Sequence, residues 1–244
     1  MASAKQSGTS RIASSKRPLL VTFSGVDGSG KTTQIEALLV WLREAGLQVR
    51  VLRFWDDIAV LGRTRETMSH TLFKSEKGIG SPGKPVQRRD KNVRGWYMTA
   101  SRMYLYFLDA VRLALAMATT SRKNPDVVVF DRFLYDELAN LDLSTRLAQE
   151  YARLLLRVIP RPDVAFVLDV DPVQARARKP EYPLDFIHSN RAAYLTLAKL
   201  TEGVTLIEPL AGQDVTALIL REVSNALERP HSPDLSHEQP LLHS

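Results

Sequence analysis

The chemistry-bearing stretch of this chain is Gly25-Val26-Asp27-Gly28-Ser29-Gly30-Lys31-Thr32, which fits the pattern G-x-x-x-x-G-K-[ST]. Glycines at these spacings let successive backbone N–H groups turn inward and form a concave nest for anionic oxygens. Lys31 at this position reaches the β- and γ-phosphates of a nucleoside triphosphate, and the Thr32 hydroxyl ligates Mg²⁺. Gly25, Asp27, Gly28, Ser29, Gly30, Lys31, Thr32 and Thr33 are therefore the expected donor-binding residues. A helix opening at Lys31 adds the positive end of its dipole to the same phosphates.

Further candidates follow short apolar runs. Asp131-Arg132 comes directly after Val127-Val128-Val129-Phe130. An acid there can orient Mg²⁺ or its water, and a guanidinium can clamp an acceptor phosphate with two hydrogen bonds. The alternative is an Asp131–Arg132 pair that serves only itself. Arg176 and Arg178 sit in a short arginine-bearing segment, Ala175 to Pro183; they read either as exposed helix-end charges or, for Arg178 with Arg176 nearby, as a finger on a transferring phosphoryl group. His231, His237 and His243 near the C-terminus read as part of a solvated tail, since nothing fixes their geometry.

These residues need a scaffold, and the pattern supplies one. Leu19–Phe23, Val49–Phe54, Asp126–Phe130, Val164–Leu168 and Val204–Ile207 read as strands. Helices are expected over 31–44, 96–119, 143–158, 184–200 and 214–227, with weak helical character over 58–73. Strands alternating with helices predict a parallel sheet with right-handed crossovers. In such sheets ligands bind at the carboxyl ends of the strands, where the loop, Trp55-Asp56-Asp57 and Asp131-Arg132 all fall. Residues 74–95 are irregular and carry Lys74, Lys77, Lys84, Arg88, Arg89, Lys91 and Arg94 against Glu76 and Asp90. They read either as a solvated loop or as a basic flap over an anionic substrate.

Composition bounds the answer. The 244 residues are 44% hydrophobic and 25% charged, with a net charge of +6, which suits one α/β domain with an anionic ligand. The absence of cysteine excludes disulfides, thiol catalysis and Cys-based zinc sites. The most apolar stretch, Met103 to Ala118, contains Asp109 and Arg112 and reads as a packed helix, so no membrane partner is expected. Residues 1–17 are basic, serine-rich and free of acids. They have the composition of a disordered tail or of an organelle transit peptide. The tail is preferred, with a cytoplasmic location. The expected organisation is a tail over 1–17, one domain over 18–228 and a second tail over 229–244.

Five features, in order, resemble the thymidylate kinase family of nucleoside monophosphate kinases. Phe23 to Gln34 is similar to its F-x-G-x-D-G-S-G-K-T-T-Q. Thr99-Ala100-Ser101-Arg102 resembles its A-A-D-R, and Val128 to Phe133 its V-I-x-D-R-Y. Pro162 to Pro172 resembles P-D-L-T-x-x-L-D-V-x-P. Phe186 to Ala198, with Arg191 and Tyr194, resembles F-F-x-x-V-R-x-x-Y-L-x-L-A. The resemblance covers about residues 18 to 227. It implies a three-layer α/β P-loop NTPase fold with five parallel strands in the order 2-3-1-4-5. It further implies ATP and Mg²⁺ as donor and cofactor, and thymidylate as acceptor. By the same resemblance Lys31, Asp131, Arg132 and Arg178 are catalytic, and Arg176 lies beside the donor. Thr32 and Asp131 serve the metal. Asp27 faces the acceptor sugar, while Arg53, Met98, Arg102 and Arg132 hold the acceptor. A homodimer through helices flanking the sheet is implied too, and nucleic acid is not an expected partner.

The departures from the pattern cluster on the acceptor side. The family's R-E-P-G-G-T is absent after the second strand. Its base-stacking phenylalanine is Met98, and the serine three residues after D-R-Y is Asp136. The lid shrinks to Arg176–Pro183. Two alternatives therefore stand beside the first reading. One is a kinase of the same fold with a different small-molecule acceptor. The other is a nucleotide-binding protein without turnover that uses its basic loop for an RNA or protein partner. A GTPase or an ABC ATPase fits poorly, because neither N-K-x-D nor L-S-G-G-Q occurs.

Overall fold

Five short runs of mostly apolar residues become strands: β1 (Leu19–Ser24), β2 (Val49–Arg53), β3 (Val127–Asp131), β4 (Val164–Leu168) and β5 (Val204–Ile207). The computed structural model describes residues 17–60, 96–121 and 124–229. The weak helix expected beyond residue 60, the basic loop 74–95 and the terminal tails lie outside the described residues. The strands pair in parallel, as the alternating pattern predicts, and in the order β2-β3-β1-β4-β5 that the resemblance implies.

Every residue of β1 and β4 is buried, and period-two alternation divides their side chains between two cores. Leu19, Val21, Phe23, Val127 and Val129 face α1 (Lys31–Glu44) and α7 (Gly212–Glu228). Leu20, Val128, Phe130, Ala165 and Val167 face the opposite layer. That layer contains α2 (Trp96–Ser121), α3 (Leu134–Leu138), α4 (Arg146–Val158) and α6 (Leu184–Leu200). The third layer expected from the sequence is therefore present, with the sheet between two sheets of helices.

Three elements differ from the sequence expectation. The second strand ends at Arg53, and Phe54–Ile58 coils into a single π-helical turn. Buried Phe54 and Ile58 pull that turn into the core, and Asp57 accepts a hydrogen bond from the Arg53 amide at 2.7 Å. The arginine-bearing segment is the end of a true helix, α5 (Pro172–Arg178). Asp171 caps it by accepting from the Val173 and Gln174 amides at 3.0 and 3.1 Å, and Pro172 starts it. Finally, α3 is a short helix directly after β3 that periodicity alone does not reveal.

Candidate functional site

The loop between β1 and α1 closes on itself around Lys31. The ammonium donates to the Gly25 and Val26 carbonyls at 2.7 and 2.8 Å, with Ser29 Oγ at 3.4 Å. Two glycines are dictated by close packing. A Cβ on Gly25 would lie 2.5 Å from the Leu168 carbonyl oxygen, and one on Gly28 would lie 2.5 Å from that of Ala175. Both residues also have positive φ, 139° and 85°, which side chains rarely adopt. The start of α1 has no side-chain cap and no acid in its first turn. Its leading amides are left for an anion. Thr32 and Thr33 are exposed on that first turn.

Lys31 is buried. Burial, assisted by the nearby Arg132 charge, lowers its pKa from 10.5 to about 8, while Asp27, Asp136 and Asp131 act the other way. A phosphate in the nest would supply the anion that restores full protonation.

Arg132 is the second centre. It follows β3 with φ of 67°, a left-handed conformation that costs a non-glycine residue about 1–2 kcal/mol. Neighbouring contacts hold it there. Its amide donates to the Phe23 carbonyl of β1 at 3.0 Å. Its guanidinium pairs with Asp27 inside the loop and, at 3.3 Å, with Asp136. It does not pair with Asp131, which stands at the end of β3 in register with Arg53 of β2 and Phe23 of β1. The burial cost is outweighed by the Asp27 and Asp136 carboxylates, so the Arg132 pKa lies above its ordinary value. An acid among phosphate-binding amides would repel phosphate unless it faced a cation; Asp27 faces both Arg132 and, at 3.7 Å, Lys179.

Asp136 holds the assembly. Its buried carboxylate accepts from Ser24 Oγ at 2.6 Å, Tyr194 Oη at 2.8 Å, the Phe133 amide at 3.0 Å and Arg132. Burial and the Asp136 carboxylate raise the Tyr194 phenol well above its usual value, so it stays a donor. Spacing gave no sign of this group: Ser24, Asp136 and Tyr194 come from three distant segments. The signals lay in the resembled pattern: Asp136 replaces its serine, and Tyr194 belongs to its Phe186–Ala198 helix. Asn140, Asn190, Tyr182 and Lys179 line the same cleft; Lys179 and Tyr182 fall in the shortened lid segment and Asn190 in the resembled helix, but none of the four stood out on its own. The cleft itself is narrow, about 20 Å³, room for roughly one water.

The remaining candidates take these places. Arg178 reaches the Gly28 carbonyl at 3.3 Å from the end of α5, and Arg176 lies half-buried on the same helix. Arg53 is exposed at the end of β2, and Arg102 is half-buried on α2; neither lines the cleft. Met98 lies in the first turn of α2, with its side chain outside the described part of the molecule. The Leu168-Asp169-Val170-Asp171-Pro172 block proves to be a bracket. Asp169 takes a two-pronged bond from Arg191 at 2.6 and 2.6 Å, while Asp171 caps α5. Together they fix α5 and α6 beside the loop.

Among the described residues no cluster of three or more acidic, His or Cys side chains could hold a metal. Mg²⁺ needs less, since it keeps waters and takes phosphate oxygens beside one or two protein ligands. The exposed Thr32 hydroxyl and the partly exposed Asp131 carboxylate are a donor set of that kind. Among the described residues no helix is long and apolar enough to cross a membrane.

A glycine nest before an uncapped helix, on a parallel sheet of this strand order, defines a P-loop kinase-type nucleotide-binding protein. No family model matches the chain. A probable thymidylate kinase of Methanothermobacter thermautotrophicus is 30% identical over 185 residues, 74% of this chain and 81% of the relative. One from Methanosphaera stadtmanae is 26% identical over 203 residues, 81% of this chain and 92% of the relative. The crystal structure of thymidylate kinase from Ehrlichia chaffeensis matches the fold with a TM-score of 0.55 at 20% identity, covering 86% of this chain and 99% of its own. The chain belongs to the thymidylate kinase family, a group of nucleoside monophosphate kinases.

Proposed function

We propose that this protein transfers the γ-phosphoryl group of ATP to thymidylate, giving ADP and thymidine diphosphate. The observation that carries the reading is Arg132, locked in a left-handed conformation at the phosphate loop between Asp27 and Asp136. Phosphoryl transfer demands little covalent help from a protein; it demands two anions held in line with their charge neutralised. Lys31 and the first amides of α1 take the donor phosphates, and Lys31 exchanges its carbonyl partners for phosphate oxygens. Arg132 offers the acceptor phosphate the N–H groups that Asp27 and Asp136 leave unused. An acceptor oxygen then attacks the γ-phosphorus, and the bond to the bridging oxygen breaks to release ADP. Arg178, which reaches the Gly28 carbonyl of the loop, would donate to the oxygens whose charge is shared out. Mg²⁺ on Thr32 and Asp131 would neutralise phosphate charge.

A second reading, the same reaction on a different monophosphate, is favoured by one feature of the acceptor cleft. The buried Oδ1 of Asn140, unpartnered among the described residues, offers an acceptor in the cleft, close in sequence to Asp136, which stands where the resembled pattern has a serine. Purified protein with ATP, Mg²⁺ and a panel of nucleoside monophosphates separates the readings through ADP release. Release with thymidylate above all others supports the first. Release with another monophosphate alone supports the second. ATP binding without release on any acceptor contradicts both.

A homodimer completes the proposal. Tyr104, Phe107, Val111 and Leu115 are exposed along one stripe of α2. They recur at helical spacing on a face that solvent alone does not account for.

A further inference from the structure

A second cavity, about 330 Å³ in volume, opens between the C-terminal half of α4, the connection into β4 and the turn between α6 and β5. That volume falls within the usual range of small-molecule sites, and the phosphate loop contributes nothing to its lining. Arg157 on α4 and Arg161 just beyond it stand at its rim. Neither pairs with a carboxylate among the described residues, whereas neighbouring Arg153 is paired with Glu150.

Two hydroxyls inside the cavity are also unspent. Thr201 Oγ1 is buried without a partner among the described residues. Tyr135 is 2% exposed and donates to nothing among the described residues. Burial raises its phenol above the ordinary value, against the pull of Arg161, so it stays a protonated donor. A buried hydroxyl left unpaired, as at Thr201, is costly and calls for a partner. Leu156, Ile159 and Pro160 give the lining an apolar part. Glu202 is the only acid in the lining among the described residues.

Two free guanidiniums and two donor hydroxyls around one space match the several oxygens of a phosphate. The apolar part matches an organic body. We propose that this cavity binds a small phosphorylated organic anion, with its phosphate on Arg157, Arg161, Thr201 and Tyr135 and its body against Leu156 and Ile159. The site adjoins the reactive centre through the chain itself. Tyr135 precedes Asp136 on α3, and its ring lies 5.2 Å from that of Phe133. An occupant therefore touches the helix that anchors Arg132.

Phenyl phosphate is a direct probe, carrying one phosphate and one apolar ring. Calorimetric titration of the full chain should show saturable binding. The double variant Arg157→Ala/Arg161→Ala should bind at least tenfold more weakly, and Thr201→Val should also weaken binding. Both arginines are exposed, so their loss leaves the core intact. Inorganic phosphate and benzoate should each bind more weakly than phenyl phosphate. Affinity unchanged in the double variant would place the anion elsewhere and overturn the proposal. Equal binding of inorganic phosphate would overturn the role of the apolar part, and equal binding of benzoate the choice of phosphate.

Discussion

Lys31 and Arg132 compete for the same few ångströms, and the competition makes a prediction. The lysine is held near pKa 8 by burial and by the Arg132 charge. Because that value lies below 10.5, the charged lysine costs folded stability below pH 8, and the cost is relieved as pH climbs toward 10.5. Phosphate binding requires the ammonium. ATP affinity should therefore be flat below pH 8 and fall about tenfold per pH unit above it. Calorimetry at pH 8.5 in buffers of different ionisation enthalpy should show proton uptake on binding. Affinity independent of pH to pH 10 would contradict the assignment.

Arg132 is tested by its nearest substitute. Arg132→Lys keeps one charge but loses the fork that bridges Asp27 and Asp136. Removal of such a preorganised donor costs about 10²–10³ in rate, so kcat/KM for the acceptor should drop by that order. ATP affinity should change by less than about threefold, since Lys31 and the loop amides are untouched. An equal loss in both would mean that Arg132 serves the donor.

At the scale of elements, α5 reaches the chemistry only because it packs on the loop without a gap. In Gly28→Ala a Cβ would meet the Ala175 carbonyl of α5 at 2.5 Å, in a backbone conformation costing about 1–3 kcal/mol for a side chain. The helix must retreat and take Arg178 with it. Weaker ATP binding and a lower Tm are expected together; a loss of neither would show the packing to be loose. The same scale shows what can be read in a sequence. The strands and α1 were legible because runs such as Val127–Phe130 and the spacing of Ile35, Leu38 and Leu42 report burial directly. The segment that became α5 was not, because seven residues carry too little periodicity and its start depends on Asp171 and Pro172. The phosphate loop could be read residue by residue, since its contacts are local. The Asp136 group could not, since Ser24, Arg132 and Tyr194 converge only after the sheet and α6 are assembled.

At the scale of the whole molecule, the two helical layers leave unequal surfaces. One carries the exposed stripe of α2, with Tyr104 and Leu115 more than half exposed at 65% and 63%. If a second copy covers that stripe, the protein should sediment near twice its 27.4 kDa. Phe107→Glu with Leu115→Glu should then shift it to the monomer while leaving its secondary structure unchanged. A wild-type monomer would remove the dimer from the account. In the core the sheet is held by rings and branched chains packed on both faces. Leu38, fully buried against β1, should cost about 2–5 kcal/mol when truncated to alanine, as measured by denaturant unfolding.

The central claim is that the donor half around Lys31 and the acceptor half around Arg132 work on one phosphoryl group. Phosphorus NMR of a reaction containing the protein, ATP, Mg²⁺ and thymidylate follows both halves at once. The account predicts that the thymidine diphosphate β-phosphorus appears in step with ADP, with no free phosphate. ADP accompanied by inorganic phosphate, without thymidine diphosphate, would contradict it.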